Sequence, residues 1–372
     1  MVLNYMNKYI EEIEKCIECK ICDDVCPTYL ATNNELEIPR NRLKIAVKIF
    51  NEEKISDAEY KSIYSCTKCE MCDLNCSSEI SISKIIGKAR ESLFSQGYEL
   101  LPGHKNLRDG ILKRKNSTKG DPKHLLDYLP DNFEYDKDST TLYYAGCLSG
   151  YFLKSISTTS VRILNKIGTS FKVMKDEICC GSPLVDLGDI ESAKRFFKEN
   201  LEIFEKNNVK ELIVSCSGCY RSFVEFYPEI IGKTIPITHI VDIIADAIKQ
   251  NKIQFKKTDK KVIYHDPCHL GREFQIYDSP RQILEAATKN LVEFEKHHDD
   301  ATCCGADSTA RAGSKDMAVK VALKRVDKAV EKADILVTAC PFCVFNLNYA
   351  RRKNDRNIKV QYITEFLNDL LD

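Results

Sequence analysis

The eighteen cysteines of this chain fall into four sets, and the spacing within each set limits what the chain can fold around. Two sets follow the pattern C-x2-C-x2-C-x3-C, and two combine a single cysteine, an adjacent pair and a C-x2-C pair. The first two sets are Cys16, Cys19, Cys22 and Cys26, and Cys66, Cys69, Cys72 and Cys76. The other two are Cys147, Cys179, Cys180, Cys216 and Cys219, and Cys268, Cys303, Cys304, Cys340 and Cys343. Because thiolates at such intervals ligate iron–sulfur clusters, the spacing predicts an electron-transfer protein.

Composition and charge exclude several other classes of protein. The formal net charge is zero, from 55 basic and 55 acidic residues, so there is no basic excess to favour nucleic-acid binding. The N-terminal segment carries acidic residues where a signal peptide needs an apolar core, and no stretch approaches the roughly 18 apolar residues of a membrane helix. We therefore expect a cytoplasmic protein with no membrane span, peripheral to a membrane only through a partner. In a reducing cytosol, the cysteines are expected to bind metal and not to form disulfides.

The chain divides by pattern into three structured parts and a linker. Residues 1–99 have helical spacing of apolar residues around the first two cysteine sets, and residues 100–140 are rich in charge, Pro, Gly and Asn. Residues 141–250 and 261–372 alternate strand and helix patterns, which indicates parallel sheets covered by helices. Three pairs of cysteines in these two parts are 124 positions apart: Cys179 and Cys303, Cys216 and Cys340, and Cys219 and Cys343. We therefore predict two tandem copies of one α/β unit.

The two N-terminal runs each predict a cubane [4Fe–4S] cluster. In two-cluster modules of this spacing, three cysteines of a run hold one cluster and the fourth reaches the other cluster. The first cluster is therefore assigned to Cys16, Cys19, Cys22 and Cys76, and the second to Cys66, Cys69, Cys72 and Cys26. Zinc, which also binds C-x2-C pairs, is the alternative.

The five-cysteine sets suggest a larger metal centre. Five thiolates exceed the four ligands of tetrahedral zinc, and adjacent cysteines point in different directions, which suits two metal atoms of one cluster. A scaffold with zinc in one or both units remains the alternative.

Both units contain a Cys-Cys-Gly motif that carries a family resemblance. The motifs are Cys179-Cys180-Gly181 and Cys303-Cys304-Gly305, and the stretch from His265 to Cys268 and the segment Ala339 to Cys343 add to them. The chain resembles the family of the D-type heterodisulfide reductase subunits, and is similar to the iron–sulfur subunits of glycolate oxidase and anaerobic glycerol-3-phosphate dehydrogenase. The resemblance implies an all-α ferredoxin module with two [4Fe–4S] clusters, followed by two tandem α/β "CCG" domains with parallel sheets.

The resemblance also implies the cofactors and the activity. Each complete five-cysteine set would hold a noncubane [4Fe–4S] cluster and would be catalytic, reducing a disulfide of the coenzyme M–coenzyme B type. The first noncubane set would be Cys147, Cys179, Cys180, Cys216 and Cys219, and the second Cys268, Cys303, Cys304, Cys340 and Cys343. The alternative is an electron-relay subunit of an FAD-linked dehydrogenase of the glycolate, lactate or glycerol-3-phosphate type.

No G-x-G-x-x-G follows a predicted strand, so we expect no flavin or nucleotide on this chain. The expected partners are a small-molecule disulfide and a redox protein. That protein would be a flavoprotein, a hydrogenase-linked complex or a membrane cytochrome b subunit.

Several charged or titratable residues near the cysteines have two interpretations each. His265 and His269 flank Cys268 and are candidate proton donors, or else hydrogen-bond donors to a cluster. Arg272 and Arg281 would bind an anionic substrate group or form structural ion pairs. Arg40 and Arg42 would offset the negative charge of a cluster or lie on the surface of a helix. All of these alternatives are open at the level of sequence.

Overall fold

The structure, a computed structural model, describes residues 2–371 and begins with a helical module. Within the described part of residues 1–99, the helices are Val2–Glu14, Ile21–Val25, Pro27–Thr32, Pro39–Phe50, Asp57–Ser65, Met71–Leu74 and Ile82–Ser95. Helix Asp57–Ser65 begins at a capping box in which the Ser56 hydroxyl accepts from the N–H of Glu59 and the Glu59 carboxylate accepts from the N–H of Ser56. Helices Pro39–Phe50 and Ile82–Ser95 bury their apolar faces in one core. That core supports the two cysteine loops.

The first α/β unit is built on a three-stranded parallel sheet. Its strands are β1 (Thr141–Tyr144), β2 (Glu211–Val214) and β3 (Ile237–His239), in the order β1-β2-β3. The helices are Lys154–Ile167, Ser182–Leu187, Ile190–Lys206, Ser217–Arg221, Tyr227–Ile231 and Ile240–Lys249, with π-helical turns at Leu148–Phe152 and Ser222–Phe226. Parallel strands need such helical crossovers, and their carboxyl ends lie at one edge of the sheet.

The second unit repeats this plan with one more strand. Strands β4 (Thr258–His265), β5 (Thr288–Val292), β6 (Ile335–Thr338) and β7 (Lys359–Tyr362) form a parallel sheet in the order β5-β4-β6-β7. Its helices are Asp278–Ala287, Ser308–Gly313, Lys315–Val330, Pro341–Lys353 and Ile363–Asn368, with a 3-10 turn at His298–Asp300. The prediction of an α module followed by two α/β units with parallel sheets is confirmed.

The two α/β units share a hydrophobic core. Tyr143 and Ile244 of the first unit lie in the same buried cluster as Tyr264 and Val337 of the second. The Tyr362 hydroxyl donates to the carbonyl oxygen of Ser215 at 2.7 Å, beside the first C-x2-C pair. Because this core is continuous, the carboxyl ends of the two sheets are held in a defined position relative to each other.

Residues 100–140 are more structured than a linker of that composition suggests. Helix Pro102–Arg114 is followed by a 3-10 helix at Pro122–Tyr128, and His104 and Ile111 are fully buried. The His104 ring Nε2 lies 2.8 Å from the Thr309 carbonyl oxygen. This segment therefore packs against the second α/β unit as well as joining the module to the first.

A buried charged contact attaches the helical module to both α/β units. Lys68 Nζ lies 2.8 Å from Asp186 Oδ1, with both side chains at most 5% exposed. Burial alone would raise the pKa of Asp186, but Lys68 and Arg221 outweigh it and hold that pKa at about 2. The Arg90 guanidinium donates to the Asp186 carbonyl and to the Thr309 hydroxyl, both at 3.1 Å.

The helices between residues 2 and 371 include none that combines the length and the apolar composition of a membrane span.

Candidate metal centres

The outer cysteine pocket of the helical module combines both cysteine runs. It has a volume of about 370 Å³, and its lining includes Cys16, Cys19, Cys22 and Cys76. Cys19 Sγ lies 3.5 Å from Ser77 Oγ, a hydrogen bond that lowers the pKa of Cys19. The structure thus brings together the four residues assigned from sequence to the first cubane.

The inner cysteine pocket is lined by the other four cysteines of the two runs. Cys26, Cys66, Cys69 and Cys72 line a space of about 380 Å³. Arg42 lies against this pocket at 2% exposure, donating to Cys26 Sγ at 3.7 Å and to Thr28 Oγ1 at 3.1 Å. The interpretation of Arg42 as a solvated helix charge is therefore wrong, and its cation faces the thiols. Arg40 instead forms an ion pair with Asp23 at 3.0 Å beside the outer pocket.

The two cysteine loops use the same backbone conformation. Glu18 and Lys20 have φ of 52° and 68°, and the equivalent Lys68 and Glu70 have φ of 48° and 62°. Left-handed φ values are uncommon for residues other than glycine, so their recurrence at matching positions marks a shared loop geometry. The first three thiols of each run line one pocket, and the fourth residue of each run follows the short helix that leads away.

All ten cysteines of the two α/β units line one cavity of about 830 Å³. Cys147 and Cys216 follow β1 and β2, and Cys268 and Cys340 follow β4 and β6. The carboxyl ends of parallel strands are a common position for binding sites, because loops from neighbouring strands converge there.

The thiols around the cavity lie close to one another within each unit. Cys343 Sγ donates to Cys304 Sγ at 3.1 Å, and Cys180 lies beside Cys179 and Cys219 in the cavity wall. Among the ten, Cys147 and Cys268 are partly exposed and the other eight are buried. Several buried thiols in one place are typical of an iron–sulfur site, because one cluster is ligated by several thiolates at once.

The glycine of each Cys-Cys-Gly motif is required by the backbone. Gly181 and Gly305 have φ of 85° and 73°. A Cβ atom at Gly181 would lie 2.5 Å from the Phe197 ring, and one at Gly305 would lie 2.7 Å from the Ala318 carbonyl oxygen. Both the left-handed φ and the lack of space exclude a side chain, so the glycine turns the chain sharply after the paired thiols.

A buried carboxyl group supports the loop that carries Cys147. Glu177 accepts hydrogen bonds from the N–H groups of Ala145 at 3.0 Å and Gly146 at 2.7 Å. Burial raises the pKa of Glu177 to about 8, although these two donors act in the opposite direction. The loop after β1 is thus tied to the segment that precedes the first cysteine pair.

The two histidines beside Cys268 have different surroundings. His269 lines the cavity, and its Nδ1 lies 2.9 Å from a Glu273 carboxylate oxygen. His265 does not line the cavity, and its Nδ1 accepts from Arg325 Nε at 3.2 Å. Burial, reinforced by Arg325, lowers the pKa of His265 to about 3. Its ring nitrogen and the sulfurs of Cys304 and Cys343 lie within 4.8 Å of one another, so it can orient these thiols.

Arg272 and Arg281 are held by structural contacts. Arg272 donates to the carbonyl oxygens of Cys69, Asp299 and Ala301. Arg281 pairs with Asp266 at 2.8 Å and with Glu293 at 2.7 Å. Neither guanidinium is available to an anionic ligand, so the structural interpretation of both residues is the correct one.

A vestibule that the sequence did not reveal adjoins the cavity. It has a volume of about 970 Å³ and shares Ser117, Leu148, Ala306 and Phe342 with the cavity lining. The remaining wall consists of Leu107, Thr118, Phe152, Arg311, Ala312, Lys315 and Phe345. The Arg311 guanidinium lies 4.7 Å from the Phe345 ring centre, and its buried Nη1 has no hydrogen-bond partner among the described residues. No local motif marks these residues, because separate segments contribute them.

The inner pocket and the cavity are in direct contact. Thr67 lines both, and Cys69 packs against Cys303 in one buried cluster. Ile82 lines both the inner and the outer pocket. The donor sets fit iron–sulfur clusters, with four thiols at each pocket of the module and five from each α/β unit. The three sites therefore form a series from the outer pocket through the inner pocket to the cavity.

Comparison with known proteins agrees with this architecture. A 4Fe-4S dicluster domain model matches residues 12–80, and a cysteine-rich domain model matches residues 141–223 and 262–348. The fold and the sites therefore define a class of iron–sulfur oxidoreductases in which a 4Fe-4S dicluster domain is followed by two cysteine-rich domains.

The relatives narrow this class to a family. The D-type component of the dihydromethanophenazine:CoB–CoM heterodisulfide reductase of Methanosarcina barkeri is 30% identical over 97% of this chain and 94% of its own length. Its counterpart in Methanosarcina mazei has the same identity and coverage. The EtfAB:quinone oxidoreductase of Syntrophomonas wolfei is 27% identical over 91% of this chain and 55% of its own length. The chain belongs to the family of the D-type heterodisulfide reductase subunits, as the motifs predict.

Proposed function

We propose that this protein passes electrons from its helical module to the cavity between the α/β units, where a small-molecule disulfide of the coenzyme M–coenzyme B type is reduced. The observation that carries the proposal is the single cavity lined by all ten cysteines of the two units. The contact of Cys69 with Cys303 supports delivery of electrons from the module. The named activity of the two Methanosarcina relatives agrees with it.

Four clusters are assigned to the four thiol sets. Cubane [4Fe–4S] clusters belong to the outer set of Cys16, Cys19, Cys22 and Cys76 and to the inner set of Cys66, Cys69, Cys72 and Cys26. Noncubane clusters belong to the two five-cysteine sets that line the cavity. When bound, the clusters supply one electron at a time to a reaction that consumes two electrons and two protons for each disulfide cleaved to two thiols.

The chain's own residues bind the substrate and exclude water. Leu148, Phe342 and Pro267 give the cavity apolar walls, which favours a desolvated S–S bond. Arg311 at the vestibule is suited to bind an anionic group on one arm of the substrate, because its Nη1 is unpaired among the described residues and a guanidinium matches carboxylate, sulfonate or phosphate. Phe152 and Phe345 flank the same arm with apolar surface.

Proton delivery is assigned to His269 and not to His265. His269 lies in the cavity wall with Glu273 at its Nδ1, so its ring is held in one orientation. His265 is turned toward Arg325 and is assigned to positioning Cys304 and Cys343. The electron-donating partner is proposed to be a flavoprotein, a hydrogenase-linked complex or a membrane cytochrome b subunit.

A second candidate function is an electron relay within an FAD-linked dehydrogenase. The EtfAB:quinone oxidoreductase relative supports it, because most of this chain aligns with that enzyme. Under this hypothesis the cavity would not need to admit a disulfide, and Arg311 would have no substrate to bind.

The test separates the two functions directly. The protein is purified without oxygen, reduced with a viologen dye and mixed with the coenzyme M–coenzyme B disulfide. Disulfide-dependent loss of dye colour, with one disulfide consumed for every two electrons, supports catalysis. Inertness toward the disulfide together with rapid reoxidation by an electron-transfer flavoprotein supports the relay instead.

A further inference from the structure

The outer cysteine pocket opens to solvent at one thiol. Among the cysteines of the described residues, Cys19 alone is exposed, whereas Cys26 and Cys69 of the inner pocket and Cys303 of the cavity are buried. Electron exchange between proteins falls with the separation of their redox centres, so the exposed end of the series is where a partner can approach closely. The outer pocket is therefore the end at which electrons enter or leave.

Exposed apolar side chains lie on the two cysteine loops that form this pocket, where helix Ile21–Val25 packs against helix Met71–Leu74. Ile17 is 70% exposed, Leu74 is 50% exposed and Ile21 is 44% exposed. These three are half of the six large apolar residues exposed in the described part of the chain, and all lie within or beside the two cysteine loops. Single exposed apolar residues need no explanation, but a group around one site indicates an interaction surface.

The rim of this surface is acidic. Within segments 11–24 and 74–79 the exposed acidic residues are Glu11, Glu14, Glu18, Asp24 and Glu79, against Lys15 and Lys20. Glu18 is paired with Lys44 at 2.6 Å. The other four acidic residues still outnumber the two lysines, so the net charge of these segments is negative. Such a rim attracts a partner surface that carries basic residues around an apolar centre.

We propose that Ile17, Ile21 and Leu74 form a docking surface around Cys19 for a redox protein whose own centre lies in an apolar patch with a basic rim. One electron crosses per encounter, and no bond forms or breaks. The proposal goes beyond the function proposed above, because a disulfide reductase and an electron relay both need such an entry surface.

Ferric cytochrome c is the probe, because it is basic and its haem edge is exposed. Reduced protein is mixed with it by stopped flow, and each electron transferred converts one ferric haem to ferrous. Leu74→Lys and Glu14→Lys change the surface without touching a proposed ligand. Each should lower the second-order rate constant about tenfold, as expected for charge reversal or repulsion at a contact rim. Higher salt should slow the wild-type protein.

Two matched controls and a second oxidant isolate the surface effect. Val330→Lys and Glu331→Lys introduce the same charges at exposed positions of the second α/β unit and should leave the rate unchanged. Reaction with the small neutral oxidant p-benzoquinone should be unchanged in all variants, as should iron content. The proposal is overturned if Leu74→Lys and Glu14→Lys react with cytochrome c like the wild type. It is also overturned if they slow both oxidants equally.

Discussion

Cys216 and Cys340 occupy equivalent positions in the two α/β units, and their thiols lie beside each other in the wall of the shared cavity. Each follows the second cysteine-bearing strand of its own unit, β2 or β6. The repeat is thus not only a duplication of sequence, because the two copies meet at matching residues. This contact makes one cavity out of two five-cysteine sets.

The cluster assignment predicts the metal content. Anaerobically purified protein should contain about sixteen irons and as many sulfides per chain, from four clusters of four. Elemental analysis that finds about eight irons together with zinc would contradict the assignment to the cavity and favour the zinc scaffold.

Cys304→Ala and Cys180→Ala should perturb different centres. These cysteines are equivalent in the two units and face one cavity, but they belong to different sets. Each variant should alter one paramagnetic signal of the cavity and leave both cubane signals unchanged in electron paramagnetic resonance. Loss of the same signal in both variants would mean that the two units share one metal centre. Circular dichroism would identify a variant that simply fails to fold.

Arg42→Gln should lower the reduction potential of the inner cubane. Its buried cation stabilises the more negative, reduced state of a cluster held by Cys26, and the substitution removes that charge but keeps hydrogen-bond donors. A redox titration followed by electron paramagnetic resonance should show one couple shifted downward and the outer couple unchanged. Arg40→Gln should have the smaller effect, since Arg40 is already paired with Asp23. Equal shifts in both variants would count against a specific role for Arg42.

Arg311→Ala should weaken the binding of an anionic disulfide more than its turnover. Under the proposed function KM should rise at least about tenfold, the loss expected when one charged hydrogen bond of roughly 1.5–3 kcal/mol is removed, with kcat changed less. Arg311→Lys should recover part of the loss. Arg352→Ala, on an exposed turn of helix Pro341–Lys353, serves as the control. An unchanged KM in Arg311→Ala would remove the vestibule from the substrate site.

Gly305→Ala should destabilise the protein more than Gly97→Ala. Both glycines have positive φ, 73° and 82°, so both substitutions carry the left-handed backbone cost of about 1–2 kcal/mol. Only Gly305 lacks space, because its Cβ would meet the Ala318 carbonyl, whereas nothing lies within 4 Å at Gly97. Overpacking should add about 1–3 kcal/mol, which thermal or denaturant unfolding can measure. Equal destabilisation would show that the backbone relaxes around Gly305.

Local spacing was sufficient to predict which thiols belong to one loop. Three cysteines within seven residues, such as Cys16, Cys19 and Cys22, can converge readily on one point, because the backbone between them is short. The strand and helix order likewise follows from apolar periodicity, and the α plus tandem α/β architecture is confirmed. The pairing of the fourth cysteine with the other run was predicted from the spacing and stays a prediction, and Cys76 lines the same pocket as the outer three.

The cysteine sets, the repeat and the fold class could be predicted from the chain alone, since each depends on near neighbours or on a recurring pattern. Folding in three dimensions was needed to distinguish an arginine that is held by several structural contacts from one that keeps a donor without a partner among the described residues. Arg272, Arg281 and Arg311 differ only in the partners that distant segments bring to them. The single cavity and the vestibule likewise arise only when distant segments pack together, and the exposure of Cys19 can be read only from the folded chain, because burial is a property of the whole molecule.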